Sequence, residues 1–302
     1  MVDKNEKVLL VGDNPFHNIS HLSQDRTKLR DRSVVNPTYA AELVMTSLDN
    51  GANGFMFSVS ETTLSILEKI REEGRSEDLA LYAIVPYAYE YVRLAAQTGG
   101  IPGLAKLFSR QLASSGNFKA MAIGAGGLLR AHPISLLEAY LTYEIGRTKS
   151  SMGKHAKIES VLLHEVIVDM ALALNLDWFF KAYIEFMKKN RYTPGFNTCN
   201  FAYLVDKFRS WNIDLTKMIV AAPFNKIGFQ MNPSKGECEQ ALRSLEEPSL
   251  IAISILAAGY LKLDDGSRYI ASLPNVKGAA VGVSKEKHAE ETFRLLSNRL
   301  RK

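Results

Sequence analysis

The sequence predicts one parallel α/β domain closed as a (β/α)8 TIM barrel, and three observations predict it. Short apolar runs alternate with amphipathic stretches from one end of the chain to the other. Most of those runs are nearly continuous in apolar residues, as strands covered on both faces of a parallel sheet are. No Pro- or Ser-rich linker or low-complexity segment interrupts the pattern, so residues 1–302 are expected to form a single domain. A barrel takes roughly 250 residues, and this length accommodates one.

The strand candidates are, in order, Lys7–Gly12, Gly54–Ser58, Leu79–Pro86, Lys119–Gly126 and Ile158–Val166. Thr193–Asn200, Lys217–Asn225, Leu250–Gly259 and Val276–Ser284 follow. That is one more than a barrel needs, and Lys119–Gly126 is the surplus candidate, either an extra strand–helix unit or a barrel strand with the N-terminal run left outside. Thr193–Asn200 is the poorest in apolar residues and contains Pro194, which cannot donate to a strand ladder. Between the strands, Tyr39–Asp49 carries Leu43, Val44 and Leu48 at helical spacing and stops at Asn50-Gly51. Thr63–Glu73 repeats the pattern with Leu64, Leu67 and Ile70, and Leu174–Lys188 carries Phe179, Tyr183 and Phe186. Lys285–Leu300 closes the chain with Ala289, Phe293 and Leu296 on one face. A doubly wound open sheet is the runner-up. No strand leads into a G-x-G-x-x-G turn, which counts against it.

Composition narrows the functional classes. With 46% hydrophobic and 23% charged residues the chain is globular and not disordered. Its 37 Lys+Arg against 32 Asp+Glu give a formal charge of +5. That suits a protein handling small anions and falls short of a nucleic-acid-binding stripe. No apolar run is long enough to cross a membrane, and the N-terminus has no signal-peptide pattern. The two cysteines, Cys199 and Cys238, form no C-x-x-C. A reducing, cytoplasmic setting is expected. Metal-ligand spacing is absent: His17 and His21 lie four apart, but Pro15 opens that segment as a loop.

Active sites of such barrels lie at the C-terminal ends of the strands. After the first run comes Asp13-Asn14-Pro15-Phe16-His17, opening a polar active-site loop over 13–37 that carries Arg26, Lys28, Arg30 and Arg32, an anion clamp. The fifth run closes on His164-Glu165 with Asp169 just beyond, a histidine beside a carboxylate at a strand end. Asn197, Thr198, Cys199 and Asn200 end the sixth run, where the amide and hydroxyl groups suit a carbonyl. Cys199 would have a depressed thiol pKa if a helix begins behind it. Asn225 and Lys226 follow the seventh run as further substrate-binding candidates. The last two strands end in Gly259 and in Gly282-Val283-Ser284, small residues suited to a phosphate at a helix N-terminus.

The C-terminal half also resembles an aldo-keto reductase. Ile158–His164 is similar to that family's strand ending in its active-site histidine, and Gly195–Phe201 to the segment that binds the nicotinamide. Val281–Ser284, with the helix behind it, resembles the family's final strand and cofactor-phosphate loop. The resemblance implies the barrel and NAD(P)H chemistry. It departs from the family where a second-strand Asp and Tyr and a third-strand Lys belong. This chain has Phe57-Ser58-Val59-Ser60-Glu61 and Ala83-Ile84-Val85-Pro86-Tyr87 there.

The residues themselves lead to an acid–base enzyme, an isomerase, epimerase or C–C lyase, acting on a small anionic, phosphorylated metabolite and requiring no cofactor. In that reading His164 transfers the proton, Glu165 orients it, and Asp13 or His17 opposes it. Asn14, Asn197, Thr198, Asn225 and Lys226 bind substrate, and Gly259, Gly282, Val283 and Ser284 hold the phosphate. The alternatives are an NAD(P)H-dependent oxidoreductase with a changed acid, and a non-catalytic barrel that binds a ligand or a protein. A homo-oligomer is compatible with all three.

Overall fold

In the computed structural model, which describes residues 7–17, 32–86, 96–97, 99, 110 and 133–301, eight parallel strands pair in sequence order and the eighth returns to the first. They are β1 (Val8–Gly12), β2 (Gly54–Ser58), β3 (Ala80–Val85), β4 (Ile158–Leu163), β5 (Thr193–Asn197), β6 (Ile219–Pro223), β7 (Leu250–Ile253) and β8 (Val276–Gly282). The closed barrel is the one expected, and eight of the nine candidate runs supply its strands. The ninth, Lys119–Gly126, lies outside the described residues.

The strands are shorter than their apolar runs at the C-terminal ends, and the reasons are local. After Ile253, Ser254 turns to φ 52°, and Ala257, Ala258 and Gly259 also take positive φ in a short 3-10 turn. The run to Gly259 therefore leaves the sheet at Ile253. Past Leu163, His164 becomes an N-cap and the chain turns into helix.

Nine α-helices are found among the described residues: α1 (Pro37–Asp49), α2 (Glu61–Glu72), α3 (Pro133–Met152), α4 (Glu165–Ala173), α5 (Asp177–Lys189), α6 (Phe201–Ser210), α7 (Lys235–Arg243), α8 (Leu263–Ala271) and α9 (Glu286–Leu300). None is long and apolar enough to cross a membrane. Two starts are written in the sequence. Asn36 accepts from the Thr38 N–H ahead of Pro37, and Ser60 forms a reciprocal capping box with Thr63. At the other end of α1, Gly51 takes φ 110°, the left-handed turn expected past Asn50.

Alternation along the strands divides two cores. Leu10, Met56, Tyr82, Leu162, Ile219, Ala221, Ile251 and Ala280 fill the barrel, while the opposite parity packs outward against the helices. The weakest strand by composition, β5, is rescued by a side chain. Pro194 sits opposite Val161 and has no N–H to give. The fully buried Tyr183 hydroxyl of α5 stands in, donating to the Val161 carbonyl and accepting the Gly195 N–H at 2.9 Å. Gly195 itself leaves room for β4: a Cβ there would lie 2.5 Å from Ser160 Oγ and 2.6 Å from Leu162 Cγ.

Candidate active site

Strand parity decides which side chains reach the barrel mouth. Continuing the inward-facing positions one step past the core gives Gly12, Ser58, His164, Asn197, Pro223, Ile253 and Gly282. His164 and Asn197 stand on neighbouring strands, one residue beyond the paired Leu163 and Phe196. Adjacent strands are about 4.8 Å apart, so these two side chains rise side by side.

His164 is held from three directions. Its backbone N–H donates to the Val85 carbonyl at 2.8 Å. Its Nδ1 accepts the Val166 N–H at 3.2 Å, capping α4, so the neutral ring carries its proton on Nε2. Burial depresses its pKa below the ordinary histidine value, while the charges of Glu165 and Asp13 act in the opposite sense. Glu165, expected to orient the ring, raises its pKa through its charge. The hydrogen bond that fixes the ring comes from the helix backbone, and Glu165 Oε2 lies 3.7 Å from Cys199 Sγ.

Asp13 crosses from the end of β1 to the end of β2, where its Oδ2 accepts the Ser58 N–H at 2.6 Å. The same oxygen meets His17 Nε2 at 3.2 Å, so the first two predicted residues form a buried pair. Asn14 is exposed at the start of that turn. Arg26, Lys28 and Arg30 lie outside the described residues, as does the side chain of Arg32.

Asn197 is 8% exposed, and its Oδ1 has no hydrogen-bond partner among the described residues. Such an atom costs about 1–3 kcal/mol when left unsatisfied. Behind it, Thr198 is fully buried, with its N–H on the Ala221 carbonyl at 3.0 Å and its hydroxyl donated to Asp169. Burial and the carboxylates of Glu165 and Asp169 push the Cys199 thiol up to about 12. The expected depression is reversed, because acids and not a cation surround the sulfur. A nucleophilic thiolate has no support at this position.

The other half of the rim is different. The Asn225 side chain is fully engaged in its own loop, donating to the Phe229 carbonyl and accepting the Phe229 N–H, both at 2.8 Å. It is a loop clasp and not the substrate contact expected of it. Lys226 is exposed and paired with Asp265 at 2.8 Å. Gly259 lies inside the 3-10 turn after β7, at φ 94°. Gly282 packs beneath the Pro15 ring, where a Cβ would meet Pro15 Cδ at 2.7 Å. Val283 is buried and Ser284 half-buried ahead of α9. The residues expected to hold a phosphate are thus spread over two loops, and Pro15 occupies the space above one of them.

Two contributions escaped the sequence reading. Ser58 meets Asp13 through its backbone N–H, which no pattern announces. Asp169 was seen as a neighbour of His164, but its contact with Thr198 depends on the helix Glu165–Ala173, which the apolar run did not foretell.

No family model matches the sequence, and no curated protein matches it. Solved structures do. The chain is similar in fold to a Pseudomonas aeruginosa protein provisionally assigned to the aldo-keto reductases, with a TM-score of 0.60 at 12% identity, over 99% of this chain and 94% of that one. A second Pseudomonas aeruginosa structure with the same provisional assignment matches with a TM-score of 0.59 at 12% identity, over 97% and 90%. The chain is a (β/α)8 barrel of aldo-keto-reductase-like layout. The isomerase, epimerase or lyase expected from the residues is overturned by this finding, since both matched structures carry an oxidoreductase assignment.

Proposed function

We propose that this protein is an NAD(P)H-dependent oxidoreductase that interconverts a carbonyl compound and its alcohol at the mouth of the barrel. The observation that carries the reading is the pair on β4 and β5. A buried histidine with a defined tautomer stands beside an asparagine whose carbonyl oxygen has no partner among the described residues. An acceptor in that position is satisfied by a ligand N–H, and the primary carboxamide of a nicotinamide presents one. Across the mouth, Pro223, Ile253 and Gly282 offer an uncharged wall of the kind a planar ring packs against.

NAD(P)H, when bound, supplies a hydride equivalent to the carbonyl carbon. The chain stabilises the charge that develops on the carbonyl oxygen. His164 Nε2–H donates a hydrogen bond to that oxygen, and the proton that completes the alcohol comes from solvent water and returns to it on alcohol oxidation. Burial, the larger effect, favours the neutral ring over the imidazolium that the charges of Glu165 and Asp13 favour, and the neutral ring acts as a hydrogen-bond donor through Nε2. Among the described residues no tyrosine or lysine stands at the ends of β2 and β3, which leaves His164 as the donor facing the carbonyl oxygen.

Titrating the purified protein with NADPH and NADH and following nucleotide fluorescence tests the premise. Saturable binding in the micromolar range is expected. No binding at millimolar nucleotide removes the reading.

A further inference from the structure

We infer that Asp169 is a positioning residue: through three hydrogen bonds to residues 198–200 it holds the end of β5, and with it Asn197, in register with His164. The geometry spans two elements. Asp169 lies on α4, the helix that His164 caps, and its carboxylate reaches across to the turn between β5 and α6. One oxygen accepts the Thr198 hydroxyl and the other the Cys199 N–H at 3.3 Å, and the Asn200 side chain also donates to it. Thr198 Oγ1 in turn accepts the Asn200 N–H at 2.9 Å, so one carboxylate organises the whole turn. Asn197 immediately precedes that turn, and His164 immediately precedes α4. Both side chains of the proposed cofactor site are therefore fixed to one rigid connection.

This arrangement is a poor way to gain stability. No lysine, arginine or histidine pairs with Asp169 among the described residues, and Glu165 adds a second negative charge nearby. Burial first, and then the Glu165 charge, raise the Asp169 pKa, and the three donors do not cancel that rise. An asparagine of the same shape would accept from Thr198 without the cost of a buried charge. A carboxylate at this position gives what the amide does not: acceptor capacity for three donors at once. Preorganising a binding group at the expense of stability is a recurrent feature of functional sites.

The inference rests on the reductase reading only for the identity of the ligand, and the experiment keeps the two apart. Asp169→Asn and Thr198→Val are compared with wild type by thermal unfolding, by hydrogen exchange of the Thr198–Phe201 amides, and by NADPH titration. Expected are an unfolding temperature equal to or above wild type for Asp169→Asn, faster exchange at Cys199 and Asn200 in both variants, and NADPH affinity weakened about tenfold. Unchanged exchange in both variants overturns the positioning role. So does a lower unfolding temperature with NADPH affinity intact, since that describes a purely structural tie. If wild type binds no NADPH but exchange at Cys199 and Asn200 still accelerates, the positioning role stands and the cofactor reading falls.

Discussion

The two halves of the barrel mouth are built from the same strand–turn–helix units and end in opposite chemistry. From β1 to β5 the inward positions and their neighbours carry the buried Asp13, His164 and Asn197 and the half-buried Ser58, all polar. From β6 to β8 they carry Pro223, Ile253 and Gly282, and the polar residues that follow are spent on their own loops. A buried polar group costs stability unless something satisfies it, whereas a small or apolar one costs nothing. The polar half is therefore where a ligand must supply contacts, and the apolar half is where it can lie without breaking any. In the proposed reading, the polar side faces the reacting oxygen and the carboxamide, and the apolar side takes the planar ring.

The largest test removes the donor to the carbonyl oxygen. His164→Ala should lower kcat/KM for NADPH-dependent reduction by about 10²–10³-fold, the usual loss on removing one donor to a developing oxyanion, with nucleotide affinity little changed. Equal losses in affinity and turnover would mean that His164 holds the nucleotide and not the reacting oxygen. Next in size is Asn197→Leu. Losing an acceptor for the carboxamide should weaken NADPH binding by about 10–100-fold, a buried hydrogen bond lost from a bound ligand. The unliganded protein should unfold at the same or a higher temperature, because an orphaned polar atom has been replaced by hydrocarbon. A less stable variant would show that Oδ1 has a partner in solution and that the two halves differ less than argued.

On the apolar half the same size of change should act on stability instead. A methyl group at Gly282 would sit 2.7 Å from Pro15 Cδ, so Gly282→Ala should cost about 1–3 kcal/mol of overpacking, measured by denaturant unfolding. Neutral stability would mean that the loop after β1 moves freely, and that Pro15 does not cover the end of β8.

How much of this could be read in the sequence differs between the halves for physical reasons. Strand runs such as Gly54–Ser58 and Lys217–Asn225 are continuous in apolar residues because both faces are covered, and that is visible without a structure. His164, Asn197 and Asp13 stand out because buried strand ends seldom carry polar residues. Parity and register, which bring His164 beside Asn197, cannot be counted until the strand ends are known. Asn225 illustrates the failure. Its position was right for a substrate contact, but its partners are backbone atoms of Phe229, four residues on, and backbone partners leave no trace in residue identity. Asp169 fails in the same way: its role depends on a helix that buries Val168, Ala171 and Leu172 but leaves the apolar Val166 and Met170 exposed, which blurs its stripe.

The smallest effect tests the electrostatics of the polar half alone, through two groups that burial moves in opposite directions. His164 has a folded pKa below its unfolded value near 6.5. In the window between the two, the unfolded chain holds more protons, so stability falls as pH falls, by at most about 1.4 kcal/mol per pH unit. Above pH 7 the contribution is fully present. Asp169 has a folded pKa above its unfolded value near 3.8. In its window the folded chain holds more protons, so stability rises as pH falls toward 3.8 and is lost as pH rises through the folded value. Differences between wild type and His164→Gln, and between wild type and Asp169→Asn, isolate these slopes from the other carboxylates that titrate in acid. Chemical unfolding from pH 4 to pH 8 should give difference curves of opposite sign. Two curves of the same sign would mean that one of the groups is satisfied by a charge partner, and that the polar half of the mouth does not wait for a ligand.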